Sequence, residues 1–119
     1  YHSVKSLPGR GGALLAALAH ANVINLLQTE NRGLRTRAND EGGDYYAVIR
    51  DTKMPAIICE VAFHTNPDEE ALLKQEHFRR RAAMGIAKGI VEYFGLEWIP
   101  PGCLTTQMKI EQIKGILEQ

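Results

Sequence analysis

One run in the middle of the chain constrains the fold more than any other feature. Residues 56–62 are apolar except for Glu60, and they lack the alternation of a strand that has one solvated face. Such a run predicts a strand covered on both faces, as in a parallel sheet. A parallel sheet needs helices on its faces, so the run predicts an α/β fold.

Helices are predicted on both sides of this run. Apolar residues recur at three- and four-residue spacing over residues 12–28 and again over 77–94, which predicts two amphipathic helices. Gly85 and Gly89 lie near the apolar stripe of the second helix, where they would allow another backbone to approach closely. Residues 45–49 are rich in aromatic and β-branched types and predict a second strand.

Helix-end signals define a third helix and the end of the last one. Asn66 is predicted as an N-cap, with Pro67 at the first helical position of a short helix over residues 67–74. Three acidic residues follow Pro67, where they meet the positive end of the helix dipole. Gly95 is the predicted C-terminal cap of the last helix.

Pro-Pro-Gly at residues 100–102 predicts a boundary. Residues 1–99 then form one unit, and residues 100–119 form a linker and an amphipathic helix over about 105–117. A helix this short is marginal alone and should dock on the domain or on a partner. The chain begins at Tyr1, without Met and without a signal peptide, so we expect a processed or excised piece of a larger protein.

Charge and composition exclude several classes of protein. The 14 basic residues balance 14 acidic ones, and this neutrality argues against a partner that is a nucleic acid or an anionic membrane. The longest apolar run, residues 13–19, is too short to span a bilayer. The two cysteines form neither a disulfide framework nor a metal-binding spacing, and Cys59 is expected to be a buried apolar residue.

Glu60 is the most informative residue of the chain. A carboxylate in a buried strand is costly unless it is paired or opens onto a cleft. It lies toward the carboxyl end of its predicted strand, where ligand crevices form in open α/β sheets. Two structural alternatives stay open at this point: a salt bridge with Arg50 on the neighbouring strand, or an edge strand that exposes Glu60 to water.

The sequence around Glu60 resembles the closing motif of a known enzyme family. Met54-Pro55 is followed by Glu60, Phe63 and Asn66, in the order found in the zinc-dependent N-acetylmuramoyl-L-alanine amidases. Further matches are Asn31-Arg32-Gly33-Leu34, Val48-Ile49-Arg50, Tyr1-His2-Ser3 and the helix pattern of residues 78–94. Ala62 departs from the family's usual glycine, a small residue for a small one.

The resemblance implies a fold and an activity. The fold would be the C-terminal part of a mostly parallel sheet flanked by helices, the three-layer amidase fold. The activity would be peptidoglycan hydrolysis at the amide between N-acetylmuramic acid and the L-alanine of the stem peptide, as in an autolysin. Glu60 matches the family's catalytic carboxylate. The resemblance also implies an extracellular or cell-wall location.

The resemblance also implies a zinc ion, held in the family by two histidines and one glutamate. Those ligands precede the segment that resembles Tyr1-His2-Ser3, so we expect none of them in this chain and all of them before Tyr1. Peptidoglycan is the expected partner, and the missing N-terminal part of the same domain is another. The alternative interpretation is a non-catalytic fragment that binds cell-wall material or a partner and has no metal site.

Other candidate residues are weaker. Arg50 could orient Glu60 or contact the glycan. His-Ala-Asn at residues 20–22 superficially matches the family's ligand motif, but its place in a helix predicts a coincidence. His64, at even strand spacing from Glu60, is a candidate substrate contact. Lastly, His2, His77 and the arginines at 79–81 are expected to be ordinary surface residues.

Overall fold

The computed structural model describes residues 1–5, 12–102 and 113–115. The helices are α1 (Gly12–Leu27), α2 (Ala47–Arg50), α3 (Pro67–Lys74) and α4 (Glu76–Tyr93). The bounds of α1, α3 and α4 confirm the three predicted helices to within one residue at each end. Residues 113–115 are helical, and the rest of the predicted tail helix lies outside the described residues.

Helices α1 and α4 pack backbone to backbone. Gly85 and Gly89 are buried on α4, and Ala19 on α1 is only 1% exposed. A Cβ atom added at Gly89 would lie 2.4 Å from the Cα of Ala19, and one at Gly85 would lie 2.8 Å from the Cα of Val23. The close approach predicted from the two glycines is therefore confirmed.

The apolar core lies where three helices meet the segment that carries Glu60. Leu27 of α1 and Phe78 and Ala82 of α4 form its buried centre. Half-buried residues pack around them, namely Val23, Val61, Ala62, Leu72 and Leu73. Val61 and Ala62, the two residues directly after Glu60, therefore pack against the helices.

The predicted helix ends are confirmed. The Asn66 side chain accepts hydrogen bonds from the backbone nitrogens of Asp68 and Glu69 at the start of α3. At the end of α4, Gly95 has a φ of +68°, and the nitrogens of Gly95 and Leu96 donate to the carbonyls of Glu92 and Val91. These two bonds form a Schellman motif, which requires the left-handed conformation that glycine supplies.

The arginine run at 79–81 is exposed, as predicted, but two of its members cap other helices. Arg79 donates to the carbonyl of Leu73 in the last turn of α3 at 2.6 Å, and Arg81 donates to the carbonyl of Leu26 in the last turn of α1. Cations satisfy the free carbonyls at helix C-termini and interact favourably with the dipole there. Arg80 instead pairs with Glu76.

The predicted parallel sheet is wrong. Within residues 1–5, 12–102 and 113–115 there is no strand, and the only β pairing is an isolated antiparallel bridge between Ala38 and Asp44. The segment predicted as a strand at 45–49 instead enters α2 at Ala47, where the nitrogens of Ile49 and Arg50 donate to the carbonyl of Tyr46. The α/β class and the three-layer arrangement are therefore not those of this structure.

The run at 56–62 is neither a strand nor buried on both faces. Its residues are half-buried or exposed, and Cys59, expected in the core, is exposed. The physical reason is the lack of neighbours: Ile58 exchanges backbone hydrogen bonds with Tyr1, at 2.7 and 3.0 Å, but no ladder extends from this pair in the described chain. Two short runs do not make a stable sheet.

Helix α1 ends in a strained conformation that a substitution should relieve. Gln28 is exposed and has a φ of +54°, in the left-handed region that costs an L residue roughly 1–2 kcal/mol. Gln28→Gly should raise the free energy of unfolding by about 0.5–1 kcal/mol, because glycine's larger unfolded-state entropy offsets part of the gain. Urea denaturation measures this.

A matched control for this prediction is Gln75, which lies between α3 and α4. Gln75 follows α3 with a φ of −82°, which any residue adopts without strain. Gln75 is also the N-cap of α4, where glycine is tolerated, so Gln75→Gly should not raise the free energy of unfolding and should change it little. Equal effects of the two glycine substitutions would show that the conformation of Gln28 is not strained.

Candidate functional site

Glu60 lines a cleft of about 430 Å³ between α1, the turn at residues 32–35 and the segment at 57–63. Tyr1, His20 and Arg32 share this cleft with it. The Glu60 residue is exposed, so water and a ligand can reach the carboxylate. Of the two structural alternatives for Glu60, exposure to water is the one that the structure shows.

The backbone on both sides of Glu60 is fixed although it belongs to no sheet. Two residues before it, Ile58 exchanges its pair of hydrogen bonds with Tyr1. Directly after it, Val61 and Ala62 pack on the core. Three residues after it, the Phe63 nitrogen donates to the Glu69 carboxylate at 2.6 Å. These contacts place Glu60 at the cleft.

The Glu69 carboxylate joins α3 to two walls of the cleft. Arg32 donates to both of its oxygens, to Oε2 from Nη1 at 3.2 Å and to Oε1 from Nη2. The Arg32 guanidinium also lies over the Phe63 ring, 5.0 Å from its centroid. The hydrogen bonds from Arg32 and then from the Phe63 nitrogen lower the pKa of Glu69. Its bonds to Glu69 raise the pKa of Arg32.

This lowered pKa predicts a pH-dependent contribution to stability. A carboxyl whose pKa falls on folding stabilises the folded state above its unfolded pKa, near 4.5, and the contribution is lost as pH falls through the folded pKa. Glu69→Gln should therefore lower the melting temperature by a few degrees at pH 7. The difference from the unsubstituted protein should shrink as pH falls below 4.5 and through the lowered pKa of Glu69.

Thermal denaturation followed by circular dichroism measures both values. Glu97→Gln, at an exposed carboxylate after α4, is the control and should leave the melting temperature unchanged. A Glu69→Gln difference that stays the same from pH 7 to pH 3 would contradict the charged interaction.

An aromatic cluster adjoins the cleft. The rings of Tyr1 and Tyr46 meet edge to face with centroids 5.0 Å apart, as do those of Tyr45 and Tyr46 at 5.2 Å. The Arg37 guanidinium covers the Tyr45 ring at 3.8 Å. The Tyr46 hydroxyl, and next its charge, raise the pKa of the Tyr1 phenol. Tyr1 thus joins Tyr45 and Tyr46 in one cluster beside the cleft that it lines.

The structure does not bring Arg50 to Glu60. Arg50 forms a two-pronged ion pair with Asp51, at 2.9 and 3.2 Å, and donates to the backbone carbonyls of Asp44 and Tyr45. It lines a second cleft of about 220 Å³, whereas Glu60 lines the first. A salt bridge between Arg50 and Glu60 is therefore not formed, and a glycan contact by Arg50 stays a prediction.

Two carboxylates that sequence reasoning did not assign hold the backbone around the two clefts. Asp44 is 8% exposed and accepts hydrogen bonds from the Ser3 hydroxyl at 2.7 Å and the Val4 nitrogen at 2.6 Å. Glu69, which holds Phe63 and Arg32, was recognised only as an acid in the first turn of a helix. The turn residues Asn39 to Gly43 signalled the loop that carries Asp44, but nothing local signalled its partners.

The histidines are dispersed. Nε2 of His20 lies 2.8 Å from Oδ1 of Asn31, so this histidine lines the Glu60 cleft from α1. His64 is in the turn before α3 instead of on a strand beside Glu60. His77 is exposed at the start of α4, and Nδ1 of His2 lies 3.0 Å from the carbonyl oxygen of Ser3.

The donor groups needed for a zinc ion are not assembled in the part of the chain that the structure describes. No group of three or more His, Cys, Asp or Glu residues there is placed to hold a metal ion. The described residues therefore do not fit a three-ligand zinc site. Among the same residues, no helix is both long and apolar enough to cross a membrane.

Comparison with known proteins shows the family to which this chain belongs. Residues 9–92 match the sequence profile of the N-acetylmuramoyl-L-alanine amidases. Because the match covers more than two thirds of the chain, the chain belongs to this family. The resemblance found around Glu60 is thereby confirmed.

Individual relatives are similar to parts of the chain. An N-acetylmuramoyl-L-alanine amidase, AmiC, of Neisseria meningitidis is 44% identical over 57 residues, covering 48% of this chain and 14% of the relative. LytC, an N-acetylmuramoyl-L-alanine amidase of Bacillus subtilis, is 37% identical over 68 residues, 57% of this chain and 12% of the relative.

A phage protein is similar to a comparable part of the chain. The endolysin of Bacillus phage SPP1 is 45% identical over 51 residues, 43% of this chain and 19% of the relative. The matched part of this chain thus spans less than one fifth of the length of each of these three relatives. No solved structure matches the chain.

Proposed function

We propose that this chain is the Glu60-bearing part of a peptidoglycan amidase that cleaves the amide between N-acetylmuramic acid and the L-alanine of the stem peptide. Membership of the amidase family supports the reaction class. The exposed Glu60 carboxylate, in a cleft of about 430 Å³, is the observation that carries the proposal. The protein would act on the cell wall, as an autolysin does.

Glu60 would move the proton that amide hydrolysis requires. Water is a poor nucleophile at neutral pH, and an amine is a poor leaving group unless it is protonated. A carboxylate within hydrogen-bond reach takes a proton from the attacking water and passes it to the departing amine.

The only basis for a zinc ion in this proposal is the resemblance of the chain to the zinc-dependent amidases. Because the described residues do not form a three-ligand site, the ligands would come from residues outside this chain, as the resemblance implies. The proton transfer assigned to Glu60 does not pass through the metal.

The second candidate is a module that binds cell-wall material without cleaving it. It is favoured by the lack of a metal-ligand group among residues 1–5, 12–102 and 113–115. The two proposals differ in their products: the amidase converts peptidoglycan, whereas the binding module only retains it.

Product analysis on purified peptidoglycan separates these candidates, with the protein expressed as its gene encodes it. Mass spectrometry should find stem peptides that begin with a free L-alanine amine, together with glycan strands that carry free lactyl carboxylates. Peptidoglycan stripped of stem peptides is the control and should give no product. Cleavage of sugar–sugar bonds would contradict the amidase proposal. So would sedimentation of the protein with peptidoglycan that releases no stem peptide.

A further inference from the structure

We propose that Glu69 is a positioning residue for Glu60: its carboxylate holds the Phe63 backbone nitrogen and so sets where the Glu60 carboxylate stands in the cleft. The inference rests on the proposed function, because it assigns Glu69 a part in the same reaction. Glu69 itself is not among the residues that line the cleft. It would act on Glu60 through the backbone between residues 60 and 63, and it also holds Arg32, which does line the cleft.

The segment that carries Glu60 depends on few contacts. A strand inside a sheet is held by a ladder of hydrogen bonds along its length, but the structure shows no ladder for residues 56–63. The Ile58 pair with Tyr1 fixes this segment on one side of Glu60. On the other side, Val61 and Ala62 pack on the core, and the hydrogen bond there is the one from the Phe63 nitrogen to Glu69, at 2.6 Å. Loss of the hydrogen bond between Phe63 and Glu69 should therefore displace Glu60 further than loss of one hydrogen bond would displace a residue inside a sheet.

Glu69 does not make the contact expected of its position in the helix. With Asn66 as N-cap, Glu69 is the third helical residue. A glutamate there ordinarily reaches back to the nitrogen of the cap residue. The Asn66 nitrogen donates to the carbonyl of Phe63 instead, and Glu69 reaches further back to the nitrogen of Phe63. The arrangement thus ties the helix start to the Glu60 segment.

Arg32 directs the carboxylate toward Phe63. Its guanidinium engages both oxygens of Glu69, which fixes the plane of the carboxylate. Oε2 then accepts from the Phe63 nitrogen while Arg32 lies over the Phe63 ring. The Glu69 side chain is only 16% exposed, so water competes weakly for these bonds.

A charge-swapped pair separates positioning from a merely structural ion pair. Glu69→Arg combined with Arg32→Glu retains opposite charges, but arginine has no acceptor for the Phe63 nitrogen. We expect the double variant to recover the melting temperature lost by Glu69→Arg alone. Because Arg32 also lines the cleft, the reference is Arg32→Gln, which removes the same cation but keeps the Glu69 acceptor. The kcat of the double variant on peptidoglycan should stay about 10- to 100-fold below that of Arg32→Gln, with KM nearly unchanged.

Glu69→Gln keeps the test decisive if the swapped pair does not fold. The glutamine amide oxygen still accepts from the Phe63 nitrogen, so this variant should retain most of kcat. Recovery of the kcat of Arg32→Gln by the swapped pair, or loss of kcat in Glu69→Gln as large as in Glu69→Ala, would overturn the inference. Amide hydrogen exchange at Phe63 should quicken in Glu69→Ala and stay slow in Glu69→Gln; unchanged exchange in both would also overturn it.

Failure of this inference can be told from failure of the proposed function. If Glu60→Gln abolishes hydrolysis and the swapped pair has the kcat of Arg32→Gln, only the role of Glu69 is wrong. If Glu60→Gln leaves hydrolysis intact, the catalytic assignment is wrong whatever the exchange at Phe63 shows.

Discussion

Glu60→Gln should lower kcat for peptidoglycan hydrolysis by about 100- to 10,000-fold, the range for loss of a positioned general acid or base. Glutamine has nearly the same shape and still accepts hydrogen bonds, but at neutral pH it cannot take a proton from water. Because Glu60 is exposed and outside the apolar core, the melting temperature should hardly change. Release of stem peptide from purified peptidoglycan measures kcat.

The same protein offers a control for loss of a carboxylate. Glu97→Gln removes an exposed carboxylate that is not among the residues lining the Glu60 cleft and should leave kcat as it was. Glu60→Asp retracts the carboxylate by one methylene group, so an intermediate kcat is expected. Full activity of Glu60→Gln would assign the proton transfer to another group.

Gly89→Ala should destabilise the fold by about 2–3 kcal/mol, near the upper end of the range for overpacking a close-packed interior. The new methyl group would lie 2.4 Å from the Cα and 2.5 Å from the nitrogen of Ala19, so α1 and α4 must move apart. Alanine is a better helix former than glycine by about 1 kcal/mol, so helix propensity alone would make this variant more stable. Any net loss of stability must therefore come from the crossing of α1 and α4. Urea denaturation measures it.

Two variants test this explanation. In Gly43→Ala the added Cβ would lie 3.5 Å or more from its neighbours, so stability should change little. Ala19→Gly combined with Gly89→Ala should not recover stability, because the atoms in the way belong to the backbone of α1. Recovery in the double variant would show that the helices cross with more room than the structure gives them.

The helices were predictable because their signals are local. Spacing of apolar residues placed α1 and α4, Asn66 and Pro67 placed the start of α3, and Gly95 placed the end of α4. Each signal depends on residues within one or two turns of one another. The crossing at Gly85 and Gly89 was predictable for the same reason, since glycine on an apolar helix face leaves room for a backbone.

The sheet was not predictable in the same way, because a strand depends on neighbours far along the chain. The apolar run at 56–62 has the composition of a buried strand, but the described residues give it no ladder. Residues 45–49 have strand-forming side chains, yet hydrogen bonds to the carbonyl of Tyr46 turn them into α2. Amino-acid composition alone does not show whether such a run pairs with another strand, stays unpaired or forms a helical turn.

The candidate site likewise contains one residue with a local sequence signal and others that only long-range contacts bring together. Glu60 could be singled out because one charge interrupts an apolar run. Its surroundings could not, because the contacts that form them, Tyr1 with Ile58 and Arg32 with Glu69, join residues far apart in sequence. Glu69 in particular looked like an ordinary acid at a helix start until its two partners were seen.

The exposed segment around Ile58 has a consequence for handling this protein. Its half-buried apolar side chains lie on a backbone with few hydrogen-bond partners, which is the kind of edge that natural proteins usually shield with charges or cover. A second copy could add its own extended segment there. Purified preparations of this chain should therefore aggregate as concentration rises, and a lysine in place of Ile57 should delay the onset.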